Sequence, residues 1–257
     1  VIAKVFDKDP EGILTAMGAL TAVSMLVFKD TILGFVASIQ LSANDMIRVG
    51  DWVSIPKYGA DGDVIKITLN TVKVQNWDKT ISTIPTYSFV SDSFKNWRGM
   101  ADAGGRRIKR SIVIKSGSIK FCSPEMILRF KKLHLISDYV TKKEKEIVMF
   151  NDNQSVDKSI LMNGRHLTNI GVFRTYSHNY ISSLQTIHPD LTCMVLQKQG
   201  NEYGVPLEIY CFTKTTDWEE YEAVQGDIFD HLYAAAKEFE LEVFQHPSGG
   251  DLEKLFP

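Results

Sequence analysis

Six histidines (His134, His166, His178, His188, His231 and His246) and three cysteines (Cys122, Cys193 and Cys211) are the side chains best suited to metal or nucleophilic chemistry. Their spacing supports neither. No histidine stands at a metal-ligand interval from another histidine or cysteine, and there is no CxxC pair. Asp61-Gly62-Asp63 resembles the opening of a calcium loop, but the remaining oxygen ligands and the closing glutamate are missing, so it reads as a turn. A phosphate-binding glycine loop, a dinucleotide fingerprint and a nucleophile signature are all lacking. The expectation is therefore a protein that is not an enzyme and takes no metal and no cofactor.

The pattern that stands out is physical rather than reactive. Residues 12–28, GILTAMGALTAVSMLVF, are uncharged and dense in glycine and alanine. At about 1.5 Å per residue such a helix crosses most of a hydrocarbon core of about 30 Å. Gly12 and Ala16 are four apart, as are Gly18 and Ala22, with Ala19 and Ser24 nearby, so two faces are nearly smooth. Smooth faces let helix backbones approach inside a membrane, where packing drives association. A buried helix of a globular domain is the alternative reading of the same run.

The elements around this run can be read in order. Asp9-Pro10-Glu11 suits a helix start, with Asp9 as N-cap and Pro10 at the first helical position. The apolar helix is expected to break at Lys29-Asp30. Asp30 would then cap a second, amphipathic helix carrying Ile32, Phe35, Val36, Ile39 and Met46, lying along the interface. After Gly50 the period changes to short strands: Trp52 to Ile55, Val64 to Leu69, Val72 and Val74, then Ile81 and Ile84. Gly59 to Gly62 would be a turn, and Asn76-Trp77-Asp78-Lys79 a hairpin tip. Such closely spaced strands suggest an SH3-like or Sm-like β-domain.

From Arg106 strands alternate with helices: Ile112 to Ile114, a helix opened by Ser123-Pro124-Glu125, a hairpin around Gln199 to Gly204, a helix capped by Asp217, and a last strand at Leu241 to Phe244. This β-α-β-β-α-β order is ferredoxin-like. Residues 137–189 are surplus to it and read as an insertion. The expected domains are 1–47 for the two helices, 48–100 for the β-domain and 101–257 for the α/β domain. The fold class is thus membrane α plus α+β.

At 257 residues and a net charge of -2, the chain offers no electrostatic case for nucleic acid. The odd, scattered cysteines fit a reducing compartment. Arg48, Lys57 and Lys66 follow the helical segments, so the positive-inside bias places the later domains in the cytoplasm. The sequence opens at Val1 without an initiator methionine or signal peptide, which leads us to expect further membrane segments upstream.

A glycine- and alanine-rich helix, a break, an interfacial helix, IRVGDWVSIP, a small β-domain and a ferredoxin-like domain, in that order, resemble the small-conductance mechanosensitive channel (MscS) family. The most specific pieces are Arg48-Val49-Gly50-Asp51-Trp52-Val53 and the ending Glu242-Val243-Phe244-Gln245-His246-Pro247. The stretch 83–100, TIPTYSFVSDSFKNWRGM, together with the insertion, is most similar to the miniconductance (YbdG-like) subgroup.

The resemblance implies a mechanosensitive ion channel of the bacterial inner membrane, a homo-oligomer of normally seven subunits. Its partners would be membrane lipid and permeating ions. It would open under tension and release ions and small solutes on hypoosmotic shock. The family's two constriction rings fall at Leu26 and Ala22, or, with a shifted register, Val23 or Met25 contributes. The family's glutamine-glycine break is here Lys29-Asp30, a charged pair at the pore mouth, and its Pro-Asn reads Pro85-Thr86. A ring of Leu26 with Val23 beside it would expel water and bar ions by desolvation, while Gly18 and Ala19 would let neighbouring helices slide. The alternative is a membrane-tethered binding or regulatory module without channel activity. Against an RNA-binding module stand the net acidity and the absence of an aromatic stacking pattern.

Overall fold

The computed structural model describes residues 10–154, 157 and 160–246, so the Asp9 cap and Pro247 lie outside the described residues. The chain divides into two compact units between Asp102 and Ala103.

The first unit opens with helix α1, Pro10–Ala43, which runs unbroken through Lys29-Asp30. The break expected there is absent for a local reason: neither lysine nor aspartate removes a backbone donor or forbids helical angles, as proline would. There is accordingly one helix, not a spanning helix followed by a separate interfacial one. It stops at a left-handed residue, Asp45 (φ 49°), where Met46 N–H donates to Leu41 C=O at 3.0 Å and closes the last turn.

The strands β1 (Trp52–Ile55), β2 (Ala60–Ile67), β3 (Thr71–Asn76), β4 (Ile81–Pro85) and β5 (Lys95–Asn96) form one antiparallel sheet in the order β4-β3-β2-β1-β5, with the short helices α2 (Ser88–Ser91) and α3 (Arg98–Asp102) before and after β5. Its register shifts by one residue between Val64 and Lys66, a bulge that strengthens the twist. Alternation along β2 and β3 buries Ala60, Val64, Val72 and Val74, which meet Val53, Ile55, Ile84 and Phe89 in one core. Only Gly59 (φ 59°) makes the expected turn, whereas Asp61-Gly62-Asp63 lies within β2. Gly62 is required there because a Cβ would collide with the Gln75 carbonyl of β3.

The second unit carries β6 (Arg106–Ile114), α4 (Pro124–Phe130), α5 (Ser137–Asn153), α6 (Asn169–Ser183), β7 (Met194–Gln197), β8 (Val205–Thr213) and α7 (Trp218–Glu238). The sheet order is β6-β8-β7, all antiparallel. The strand expected at Leu241 to Phe244 is reduced to a single bridge, Val243 to Ile114, flanked by Lys115 N–H to Glu242 C=O and Phe244 N–H to Val113 C=O. Phe130, Phe173 and Phe239 interlock in the core, with Phe130 and Phe239 stacked at 4.9 Å between centroids.

Residues 137–189, expected as an insertion, hold α5 and α6, and α6 buries Ile170, Val172, Phe173 and Ile181 in this same core. Asn169, fully buried, ties the unit together. Its Oδ1 accepts from Lys120 N–H and Ile170 N–H at 2.9 Å, and its Nδ2 donates to the Ser118 and Phe239 carbonyls.

Candidate functional site: the apolar helix and its anchor

From Glu11 to Leu33 every described side chain of α1 is exposed. This stretch is about 34 Å long, enough to span a hydrocarbon core of about 30 Å. It is the one helix among the described residues long and apolar enough to cross a membrane. Three of its hydroxyls are satisfied locally: Thr15, Thr21 and Ser24 each donate a hydrogen bond at 2.8 Å to the carbonyl four residues back. A hydroxyl satisfied within its own helix no longer needs water, which suits it to an apolar medium.

At about 100° per residue, the unbroken helix gathers most of its largest side chains on one flank and its small residues, interleaved with Val23 and Leu26, on the other. Leu14, Met17, Met25, Phe28, Ile32, Phe35 and Ile39 line one flank as large exposed apolar groups. Gly12, Ala16, Ala19 and Ala22 lie toward the other. Ala19, Ala22, Val23 and Leu26 share a sector of about 100°, with Asp30 in it and Lys29 and Gly18 at its edge. Val23 is 60% and Leu26 74% exposed, so nothing within the single chain covers the expected constriction. Lys29 and Asp30 form no ion pair among the described residues, and both point into the same uncovered length of helix.

The other end of α1 is anchored. Its buried residues are Gly34, Ala37 and Leu41, whereas Ile32, Phe35, Val36 and Ile39, the apolar face expected to lie along the interface, are exposed. Gly34 explains the choice. A Cβ there would stand 3.2 Å from the Leu69 carbonyl and 3.3 Å from Asn70 Cα and would displace the Asn70 side chain, so glycine gives the helix its close seat on the β2–β3 turn. Leu41 then joins the β-domain core.

A polar clamp secures the exit from the helix. Asp45 accepts a bidentate pair from Arg48 at 2.7 Å and a third bond from Arg98 Nη1 at 3.0 Å. Arg98 also grips the buried Asp51 with Nε at 3.0 Å and with Nη2. Asn96 bonds Asp51 and the Met46 carbonyl. Burial opposes the charge on Asp51, but the bonds from Arg98, Asn96 and the Arg48 backbone prevail and hold its carboxyl below the ordinary value of 3.8. The Arg48–Asp51 segment was legible as a motif; Arg98 and Asn96 were not, because they arrive from the far end of the β-domain.

Trp52 stacks on Trp97 at 4.5 Å and meets Trp77 edge-on at 5.2 Å, beside the clamp residues in sequence. Trp218, in the second unit, is 62% exposed. Among the described residues no cluster of histidine, cysteine and carboxylate is arranged to hold a metal ion.

An exposed apolar helix clamped onto a small β-sheet, followed by an α/β unit, has the length and composition of a membrane span and no cover within its own chain. A family model described as the mechanosensitive ion channel beta-domain matches residues 30–99. An uncharacterized MscS family protein of Helicobacter pylori (strain ATCC 700392 / 26695) is 23% identical over 92% of this chain and 34% of its own length. The low conductance mechanosensitive channel YnaI of Escherichia coli (strain K12) is 23% identical over 87% of this chain and 50% of its own. The cryo-EM structure of Arabidopsis thaliana MSL1 superposes with a TM-score of 0.64 at 14% identity, covering 95% of this chain and 69% of that one. The chain carries the beta-domain of mechanosensitive ion channels at residues 30–99 and is similar over most of its length to MscS family proteins. It spans between a third and a half of the length of these two curated relatives.

Proposed function

We propose that this chain is the pore-forming and cytoplasmic part of a mechanosensitive ion channel of the bacterial inner membrane, assembled as a homo-oligomer of seven subunits. The observation that carries the reading is the exposed length of α1, whose small-residue side and large apolar side have no partner within the chain. Copies packed through Gly18, Ala19 and Ala22 would bring Val23 and Leu26 into a ring that water leaves and ions therefore cannot cross. Tension that spreads the helices rewets the ring. Lys29 and Asp30, about one turn further along, would ring the mouth. The miniconductance (YbdG-like) subgroup remains our reading of the stretch 83–100.

The second unit is read as ferredoxin-like, because its strands follow the order β6-β8-β7 with Val243 added beside β6. In this reading residues 1–47 provide the membrane part, 48–100 the β-domain, and 101–257 the cytoplasmic α/β domain with extra helical structure at 137–189. The Leu26→Ser and Val23→Ser variants test the pore face: each should open at lower tension in patch recordings. Unchanged thresholds in both would remove these residues from the constriction.

A further inference from the structure

We infer that the cavity between α5, α6 and the segment entering α6 binds a nucleoside phosphate. The cavity measures about 460 Å³ and is lined by Lys143, Arg165 and Arg174 on its cationic side, with Phe121, Tyr139 and His166 among its walls. That volume lies in the range of small-molecule sites and far exceeds what a lone phosphate ion occupies.

The cations are concentrated in a chain whose net charge is -2. Among the described residues neither Arg165 nor Arg174 takes part in an ion pair, while Lys143 is held by Glu146 at 2.6 Å. Arg165 is close enough to Lys143 to repel its charge. Glu146, which also lines the cavity, offsets the charge of Lys143, and the two guanidiniums are left for an anion to join.

Arg165 is also positioned by its surroundings. The buried Asn151 of α5 accepts from Arg165 N–H at 2.8 Å and donates to the Arg165 carbonyl at 3.0 Å. Gly164 (φ 77°) makes the turn that lets it do so, and a Cβ there would collide with the Asn151 amide. The guanidinium carbon lies over Phe150, 3.9 Å from the ring centroid. Two guanidiniums suit the planar, bidentate recognition of phosphate oxygens. The Phe121 and His166 rings, 5.3 Å apart, and Tyr139 supply flat apolar surface for a base.

Isothermal titration of the intact detergent-solubilised protein with AMP, adenosine and inorganic phosphate tests this site independently of channel activity. Saturable AMP binding should weaken by about tenfold in Arg174→Gln, an exposed position whose loss spares the core, and similarly in Arg165→Gln. A Phe121→Ala variant should bind AMP more weakly while leaving phosphate unaffected. No saturation by AMP at several millimolar (about 5 mM), or AMP affinity unchanged in the arginine variants with their folding intact, would overturn the inference. Adenosine binding as tightly as AMP would remove the cations from recognition, and phosphate binding as tightly as AMP would remove the nucleoside; either contradicts the assignment.

Discussion

Two side chains, Val23 and Leu26, carry the barrier in this account because they combine bulk, apolarity and a shared sector of α1 with no cover from their own chain. Replacing either with serine supplies a hydrogen-bonding group where dewetting is needed, so the tension threshold should fall. Lys29→Glu reverses a charge at the mouth and should change ion preference or unitary conductance; an unaltered current–voltage relation would place that side chain away from the ion path. Asp51 makes a separate prediction. Its folded-state pKa lies below 3.8, so its stabilisation is complete above that value and is lost as pH falls through the lower folded value. Asp51→Asn should abolish that acid sensitivity and, by leaving Arg98 without its main partner, cost about 3 kcal/mol in urea unfolding followed by tryptophan fluorescence. An acid transition of the first unit identical in the variant would contradict the clamp.

Helix α1 shows what could and could not be read from residues alone. The uncharged run and its small-residue spacing were visible, as were the β-strands, because periodicity and turn residues are local signals. The change in polarity at Lys29-Asp30 was mistaken for a change in backbone, although neither residue breaks a helix. The packed stripe was also missed: Gly34, Ala37 and Leu41 bury because glycine permits close approach to Leu69 and Asn70, a tertiary fact that hydrophobic size does not encode. The partners of Asp51, at Asn96 and Arg98, lie more than forty residues away in sequence and carry no local signature. Asn169 is similar, a single amide that organises three chain segments. Gly34→Val should therefore detach the helix end from the β2–β3 turn, lowering stability by about 1–3 kcal/mol and uncoupling gating from the β-domain. Wild-type melting and thresholds in that variant would refute the anchor.

At the scale of the whole molecule, the proposed channel would cover the apolar helix, exposed over about 34 Å, with lipid and with neighbouring copies packed on its small residues. The assembled protein should therefore run as a single oligomer in native mass spectrometry from mild detergent, at seven times the subunit mass. A monomer would favour the tethered module. The clamp at Asp45, Arg48, Asp51 and Arg98 ties the lower end of each helix to its β-domain, so helix tilt under tension would be resisted at that point and resolved nearer the constriction.

The most direct test is patch-clamp recording, with stepped suction, of the intact protein in a membrane lacking other mechanosensitive channels. The account predicts tension-activated currents whose threshold falls in Leu26→Ser. Silence up to membrane rupture, with insertion confirmed, would contradict it.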